Sequence, residues 1–350
     1  MIRVLVLSLY GSLAASTRYR FIQFIPHLKN KDIDLQVHSL LDNKYLASRF
    51  NNKTLPFFNI AYSIIKRLYI LMKQKEYDCA IIHCELFPFL PGWIERRLLK
   101  IPYIYDFDDA FYLRYKTEYF SFRSLFLSSK FDTVISGAAA VTAGNVVLEN
   151  YAKNNNTETV ILPTVLDTNR FFPKHKTSSV IFNIGWIGSP STAIYLTELI
   201  EPLTQFGNET KVVLTVIGGK APYIPNIEVK EVPWSESTEI DYINTFDVGV
   251  MPLSDNEWTQ GKCAFKLIQY MSCAIPVIAS PVGTSCTVVD ESCGLFANNA
   301  ESWLSAFRYM RDNSIKRIQM GKSGRERVIE KYSLPCNVPI IEETIISVCR

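Results

Sequence analysis

Residues 261–283 read Gly261-Lys262-Cys263-Ala264-Phe265-Lys266-Leu267-Ile268-Gln269-Tyr270-Met271-Ser272-Cys273-Ala274-Ile275-Pro276-Val277-Ile278-Ala279-Ser280-Pro281-Val282-Gly283. Leu267, Ile268 and Met271 fall at helical spacing after a glycine-bearing loop. Pro276 opens a β-rich run, Val277-Ile278-Ala279, and Ser280, Pro281 and Gly283 turn the chain. The order is loop, helix, short buried strand, loop. Lys262 and Lys266 stand in the loop and the first helical turn. A helix start presents free N–H groups and partial positive charge, which suits a phosphate, and two ammonium groups sharpen that preference. A solvated lysine pair on an ordinary helix is the competing reading.

Upstream, a strand runs from Val180 toward Ile187 and meets Gly188-Ser189-Pro190-Ser191-Thr192, followed by a helix over 195–200. Glycine permits close backbone approach, and serine and threonine offer hydroxyl and amide donors to a diphosphate. The same hydroxyls can simply cap the helix. Lys211–Gly219 reads as another buried strand with a glycine end, Ile240–Ile243 as helix, and Asp247–Leu253 as strand. Residues 301–332 read as two amphipathic helices, and Asn337–Cys349 as a last one.

The first half repeats the alternation. Ile2–Leu7 is a continuous apolar strand, as a parallel sheet covered on both faces requires. The loop from Ser8 to Thr17 has Gly11 but no G-x-G-x-x-G, which argues against a nicotinamide dinucleotide site. A helix is predicted over Arg18–Leu28. Loops at strand C-termini hold ligands in open α/β sheets, so Ser16, Arg18 and Arg20 are candidates, against a solvated helix face for the arginines. Asp34–Leu40, Cys79–His83 and Asp132–Ile135 read as strands, and Ala140–Asn145 as the approach to a helix. Residues 59–75 form a basic amphipathic segment: Ile60, Ile64, Ile65, Leu68, Leu71 and Met72 are apolar, and Lys66, Arg67, Lys73 and Lys75 carry charge. With Trp93 and the Arg96-Arg97 cluster, it suits an anionic membrane surface. The alternative lays one face on the sheet with the cations in water.

Ile101-Pro102-Tyr103-Ile104-Tyr105-Asp106-Phe107-Asp108-Asp109-Ala110 holds an apolar strand that ends in three carboxylates. Close acids raise one another's pKa unless cations or hydrogen bonds intervene. A metal-binding D-x-D, helix caps and a substrate contact compete as readings. A phosphate site built on lysines fits better without a metal.

At 350 residues, two domains are expected, and 48% apolar content is that of a globular chain. A net charge of +3 does not suit a general nucleic-acid binder. The eight cysteines show no zinc spacing and fit a reducing compartment, and the four histidines make no metal motif. Pro276, Pro281 and Gly283 rule out a membrane helix over 267–289, and the N-terminus lacks a convincing leader. A cytoplasmic location is expected.

The stretch 257–283 resembles the nucleotide-sugar signature of GT-B glycosyltransferases of family 4, the glycosyltransferase group 1 type. That signature ordinarily holds two glutamates eight positions apart, where Gly261 and Gln269 stand here. A subgroup with Trp-x-x-Gly-Lys-Cys-x-Phe-Lys is similar to Trp258 through Lys266. The resemblance implies two Rossmann-like α/β domains facing across a cleft: 1–170 on the acceptor side, joined by the helix 336–350, and 180–335 for the nucleotide sugar. Pro173–Ser179 is polar and basic and reads as the linker between them. The resemblance implies donor contacts from Gly188, Ser189, Ser191, Thr192, Lys262, Phe265, Lys266, Leu267 and Gln269, with Glu257 as a substitute for the missing acid. Asp109 and then Asp108 match the polar pair near the reacting carbon, and Trp234 lies near the base or in the core. The expected reaction is metal-free, cofactor-free transfer of a sugar from a nucleoside diphosphate sugar, UDP first, to a glycan or lipid-linked acceptor, with retention. A silent nucleotide-sugar binder and a GT-B-type epimerase are the alternatives.

Overall fold

The computed structural model describes residues 1–50, 57–116, 126–175 and 181–350. They form two compact units. One comprises Met1–Val165, Gly261–Cys263 and Asn337–Arg350; the other comprises Leu166–Gln260 and Ala264–Cys336.

The N-terminal unit is built on β1 (Ile2–Tyr10), β2 (Ile33–Leu41), β3 (Cys79–His83), β4 (Tyr103–Phe107), β5 (Ala140–Ala143) and β6 (Thr159–Ile161). Their order is β2-β1-β3-β4-β5-β6, and every pairing is parallel. Val4 lies opposite Leu35 on one side and Cys79 on the other. Val4 to Leu7 are fully buried, so the run is continuously apolar instead of alternating. The strand order reverses between β1 and β3, and in such sheets ligands gather at the carboxyl ends beside the reversal.

The C-terminal unit repeats the design with β7 (Phe182–Ile187), β8 (Val212–Ile217), β9 (Glu228–Val232), β10 (Val248–Met251), β11 (Val277–Ala279) and β12 (Gly294–Phe296). Here the order is β12-β11-β10-β7-β8-β9, again all parallel, with the reversal between β7 and β10. Trp186, Leu214, Phe206, Trp303 and Phe307 fill its core. A Cβ at Gly249 would stand 2.3 Å from the Tyr270 ring, so the bare backbone of β10 lets that ring lie on the strand. The Tyr270 hydroxyl then accepts from the Ile187 amide at 2.8 Å, fastening helix Phe265–Ser272 to the end of β7.

Several local expectations change. Asp132–Ile135 is not a strand but lies in helix Lys130–Ser136, where Phe131, Val134 and Ile135 bury one face at helical spacing. The strand is instead Ala140–Ala143, and Asn145 caps the following helix by accepting from the Leu148 amide at 3.0 Å. The helix expected over 18–28 breaks into Ala15–Arg20, a 3₁₀ turn Ile22–Phe24, and Ile25–Lys29. Pro26 lacks the amide an uninterrupted helix needs there and sits in a new first turn. The segment expected as helix over 195–200 is mostly 3₁₀, Pro190–Leu199. Residues 176–179 of the expected linker lie outside the described residues. The last helix is Leu334–Cys349.

Candidate functional sites at the two sheet edges

In the C-terminal unit, Gly188 follows β7 directly. Lys266 and Tyr270 are four apart in helix Phe265–Ser272 and so share a face. With Tyr270 anchored to Ile187, Lys266 is carried over the end of the same strand. Its Nζ lies 4.1 Å from the centre of the buried Trp186 ring and 3.4 Å from Thr192 Oγ1. A Cβ on Gly188 would stand 2.7 Å from Lys266 Nζ and 2.6 Å from the Trp186 ring, so only glycine leaves this space open. Ser189 Oγ is 2.9 Å from Ser191 Oγ and 3.4 Å from Thr192 Oγ1. An ammonium, three hydroxyls and a bare backbone therefore converge beside the reversal of strand order. Such an array can bind the oxygens of a phosphate. The helix itself starts from Ala264, held in the left-handed region at φ 52, where a residue with a Cβ is strained by about 1–2 kcal/mol.

In the N-terminal unit, the end of β4 carries Asp106. It accepts from Arg20 Nε at 2.7 Å and from Arg20 Nη2, from His83 Nδ1 at 2.8 Å, and from Thr142 Oγ1 at 2.6 Å. Burial opposes its charge, but the Arg20 guanidinium and these hydrogen bonds prevail and hold the carboxyl well below the usual carboxylate range. Arg20 also donates to the Leu162 carbonyl at 2.8 Å. His83 Nε2 faces Cys84 Sγ at 3.4 Å and Asp108 Oδ1 at 3.8 Å. Among the described residues, ligand atoms of His83, Cys84 and Asp108 lie within 4.8 Å of one another. Burial, and then the charge of Asp108, push the Cys84 thiol far above its ordinary pKa.

Asp109 keeps part of its surface open, yet the dense protein around it pushes its carboxyl up to about 7. Burial is the largest cause; Lys262 opposes it and Asp108 adds to it. Next to Lys262, Asn145 Nδ2 donates to the Gly261 carbonyl at 2.9 Å. A Cβ at Gly261 would stand 2.6 Å from the Cβ of Ala110. Behind this edge, buried Glu85 accepts from Arg114 at 2.8 Å, and from the Tyr115 hydroxyl and Lys130 at 2.7 Å each.

Residues 179–313 match the family model described as glycosyl transferases group 1. No curated protein matches the chain in sequence. Among solved structures, sucrose-phosphate synthase from Thermosynechococcus elongatus superposes with a TM-score of 0.71 at 14% identity, covering 99% of each chain. HepE from Anabaena, solved in complex with UDP and glucose, gives 0.69 at 15% identity, covering 99% of this chain and all (100%) of the other. A glycosyltransferase from Rickettsia africae gives 0.69 at 12% identity, covering 100% and 99%. The chain has the GT-B fold. Within it, residues 179–313 are similar to glycosyl transferases group 1.

On this GT-B frame the expected residues fall as follows. Gly188, Ser189, Ser191, Thr192 and Lys266 come together at the end of β7. Phe265 is half-buried beside Lys266, Gln269 is buried one turn on, and Leu267 is a fully buried core residue. Glu257 opens the short helix Glu257–Gln260 and is exposed. Lys262 does not belong to the same unit as Lys266: the left-handed turn at Ala264 separates them, and Lys262 groups with Asp109 in the N-terminal unit. Ser16 is half-buried. Arg18 and Arg20 lie on no solvated helix face. Arg18 Nη1 donates to the carbonyls of Ser12 and Leu13, at 2.8 and 2.9 Å, and Arg20 is the buried partner of Asp106. Trp234 is half-buried and its indole donates to the buried Glu239 at 2.8 Å. Sequence reading missed Trp186 as the platform under Lys266; the available signal was its place one residue before the last of a strand that runs into Gly188.

Proposed function

We propose that the protein transfers a sugar from a nucleoside diphosphate sugar, UDP-linked first, to an acceptor hydroxyl. One observation carries the reading: Lys266, Gly188 and the hydroxyls of Ser189, Ser191 and Thr192 converge at one strand end beside the reversal of sheet order. Charge grows on the leaving phosphate in the transition state, and a fixed ammonium aimed there lowers the barrier without a metal. The group 1 match over 179–313 and the UDP in the HepE structure support this choice of donor. Gln269 takes the ribose, as donor and acceptor both, and Glu257 approaches the donor sugar. In the N-terminal unit, Asp109 with Asp108, and Ser16 and Arg18 of helix Ala15–Arg20, serve the acceptor side. We assign a hexosyl donor, retention of configuration, and a glycan or lipid-linked acceptor of a bacterial surface polysaccharide, handled on the cytoplasmic side. A catalytically silent nucleotide-sugar binder is the second reading, favoured by Gly261, which has no side chain where the family signature has an acid.

The test has two stages. UDP, GDP, ADP, CDP and TDP are screened by thermal shift; at a hundredfold Kd a ligand adds about 2.7 kcal/mol. Stabilisation by none of them overturns both readings. The sugar form of the best nucleotide is then incubated with mixed acceptors, and nucleotide release is followed. Binding without release or transfer selects the silent binder.

A further inference from the structure

The helix Phe57–Met72 is turned the wrong way round for water. Arg67, on its inner side with Ile70 and Leu71, is 1% exposed. Its Nη2 donates to the carbonyls of Ser8 at 2.6 Å and His38 at 2.9 Å, at the edge of β1 and β2. Its Nε and Nη1 find no hydrogen-bond partner among the described residues. On the outer side, Tyr62, Ile65, Tyr69 and Met72 recur at three- and four-residue spacing and so form one stripe. They are 67%, 65%, 52% and 75% exposed. The sequence pattern of this segment suggested apolar residues on the sheet and cations in water; the structure reverses part of that.

Charge flanks the stripe. From Asn43 to Lys75 the chain has no Asp or Glu, while Lys44, Arg49, Lys66, Lys73 and Lys75 are exposed. Lys73 stands 4.8 Å above the Tyr69 ring. At the helix end, Gln74 donates to the Leu98 carbonyl at 2.9 Å and accepts from the Lys100 amide at 2.7 Å. That joins the segment to helix Gly92–Leu98, which carries exposed Trp93, Arg96 and Arg97. Among the described residues no helix is long and apolar enough to cross a membrane.

We propose that helix Phe57–Met72 lies in the interface of a bilayer containing anionic lipid, its Tyr62–Met72 stripe among the acyl chains and its lysines on the headgroups. An exposed apolar stripe flanked mainly by cations, with Glu76 the nearest acid after it, has the composition of an interfacial helix. A second copy is a poorer occupant, because two-fold pairing of this face would set the same cations against one another.

The test is vesicle flotation of the full chain with phosphatidylcholine alone and with added phosphatidylglycerol. The protein is expected to float with the anionic vesicles, and to be released in about 1 M salt, where charge screening reaches about 3 Å. Ile65→Ser with Tyr69→Ser should cut partitioning roughly tenfold to a hundredfold with an unchanged melting temperature, since both sites are exposed. Lys66→Glu with Lys73→Glu should cut binding to anionic vesicles alone. Absence of flotation, flotation unchanged by Ile65→Ser with Tyr69→Ser, or equal binding to both vesicle types overturns the proposal. So does a dimer lost on Ile65→Ser with Tyr69→Ser and no vesicle binding.

Discussion

The two sheet edges are built on opposite plans. At the end of β4, opposite charges have already found one another: Arg20, His83 and Thr142 saturate Asp106 within the interior. At the end of β7, one ammonium lies 4.1 Å from the centre of an indole and 3.4 Å from Thr192 Oγ1, beside the paired hydroxyls of Ser189 and Ser191. A buried ion pair holds a shape, because removing either partner strands the other. A cation over an aromatic ring beside clustered hydroxyls has the chemistry to meet an incoming anion. The first edge is a frame with Asp109 mounted at its rim; the second is the proposed phosphate site.

Arg20→Ala should therefore give the largest effect. It leaves the Asp106 carboxylate without its guanidinium, and destabilisation of about 3–5 kcal/mol is expected in urea or guanidinium unfolding. A stable but inactive variant would break the contrast by moving Arg20 into the chemistry. Lys266→Ala should act the other way, cutting turnover by roughly 100-fold while unfolding changes little. Near-wild-type turnover would remove Lys266 from its role. Gly188→Ala sharpens the comparison: its methyl meets the movable Lys266 tip but also the fixed Trp186 ring. A loss of roughly tenfold in nucleotide affinity is expected by calorimetry, in line with 1–3 kcal/mol for overpacking.

The smallest effect concerns pH. Asp109 sits at about 7 in the fold, against an ordinary value near 4, so between these values the folded state holds the extra proton. Stability must then fall as pH rises through that window, by at most about 1.4 kcal/mol per unit, less for its open side. Glu95 is also pushed up to about 7, chiefly by burial, and bends the curve the same way. Asp109→Asn should flatten the wild-type slope without abolishing it. An unchanged slope in melting temperature from pH 5 to 7 would show that Asp109 titrates normally.

Most of the frame was legible because parallel strands announce themselves. β1, β3, β7, β8 and β10 are short apolar runs ending in turn residues, and the helix 265–272 keeps its period. The strand error at 132–135 came from reading Val134 and Ile135 as β-branched neighbours instead of as helix positions three and four after Phe131. Arg20 read as a candidate ligand contact or a solvated charge, and Arg67 as part of an outward basic face, because sequence does not say which charges the interior has paired or trapped. Lys262 in the loop and Lys266 in the first helical turn fall where the sequence placed them, with left-handed Ala264 between them. The convergence of Gly188, Ser189 and Lys266 was legible since two phosphate-suited loops each stood at a strand end. The indole beneath them was not.

One consequence concerns re-engineering. Gly261 is pressed against buried Ala110, with the imagined Cβ 2.6 Å from one Ala110 atom and 3.2 Å from its backbone nitrogen. Ala110 is already about as small as a side-bearing residue can be, so no trimming of the neighbour makes room. Anyone grafting the absent acid back at 261 must first reroute main chain, and a new sugar preference is better sought by redesigning another wall.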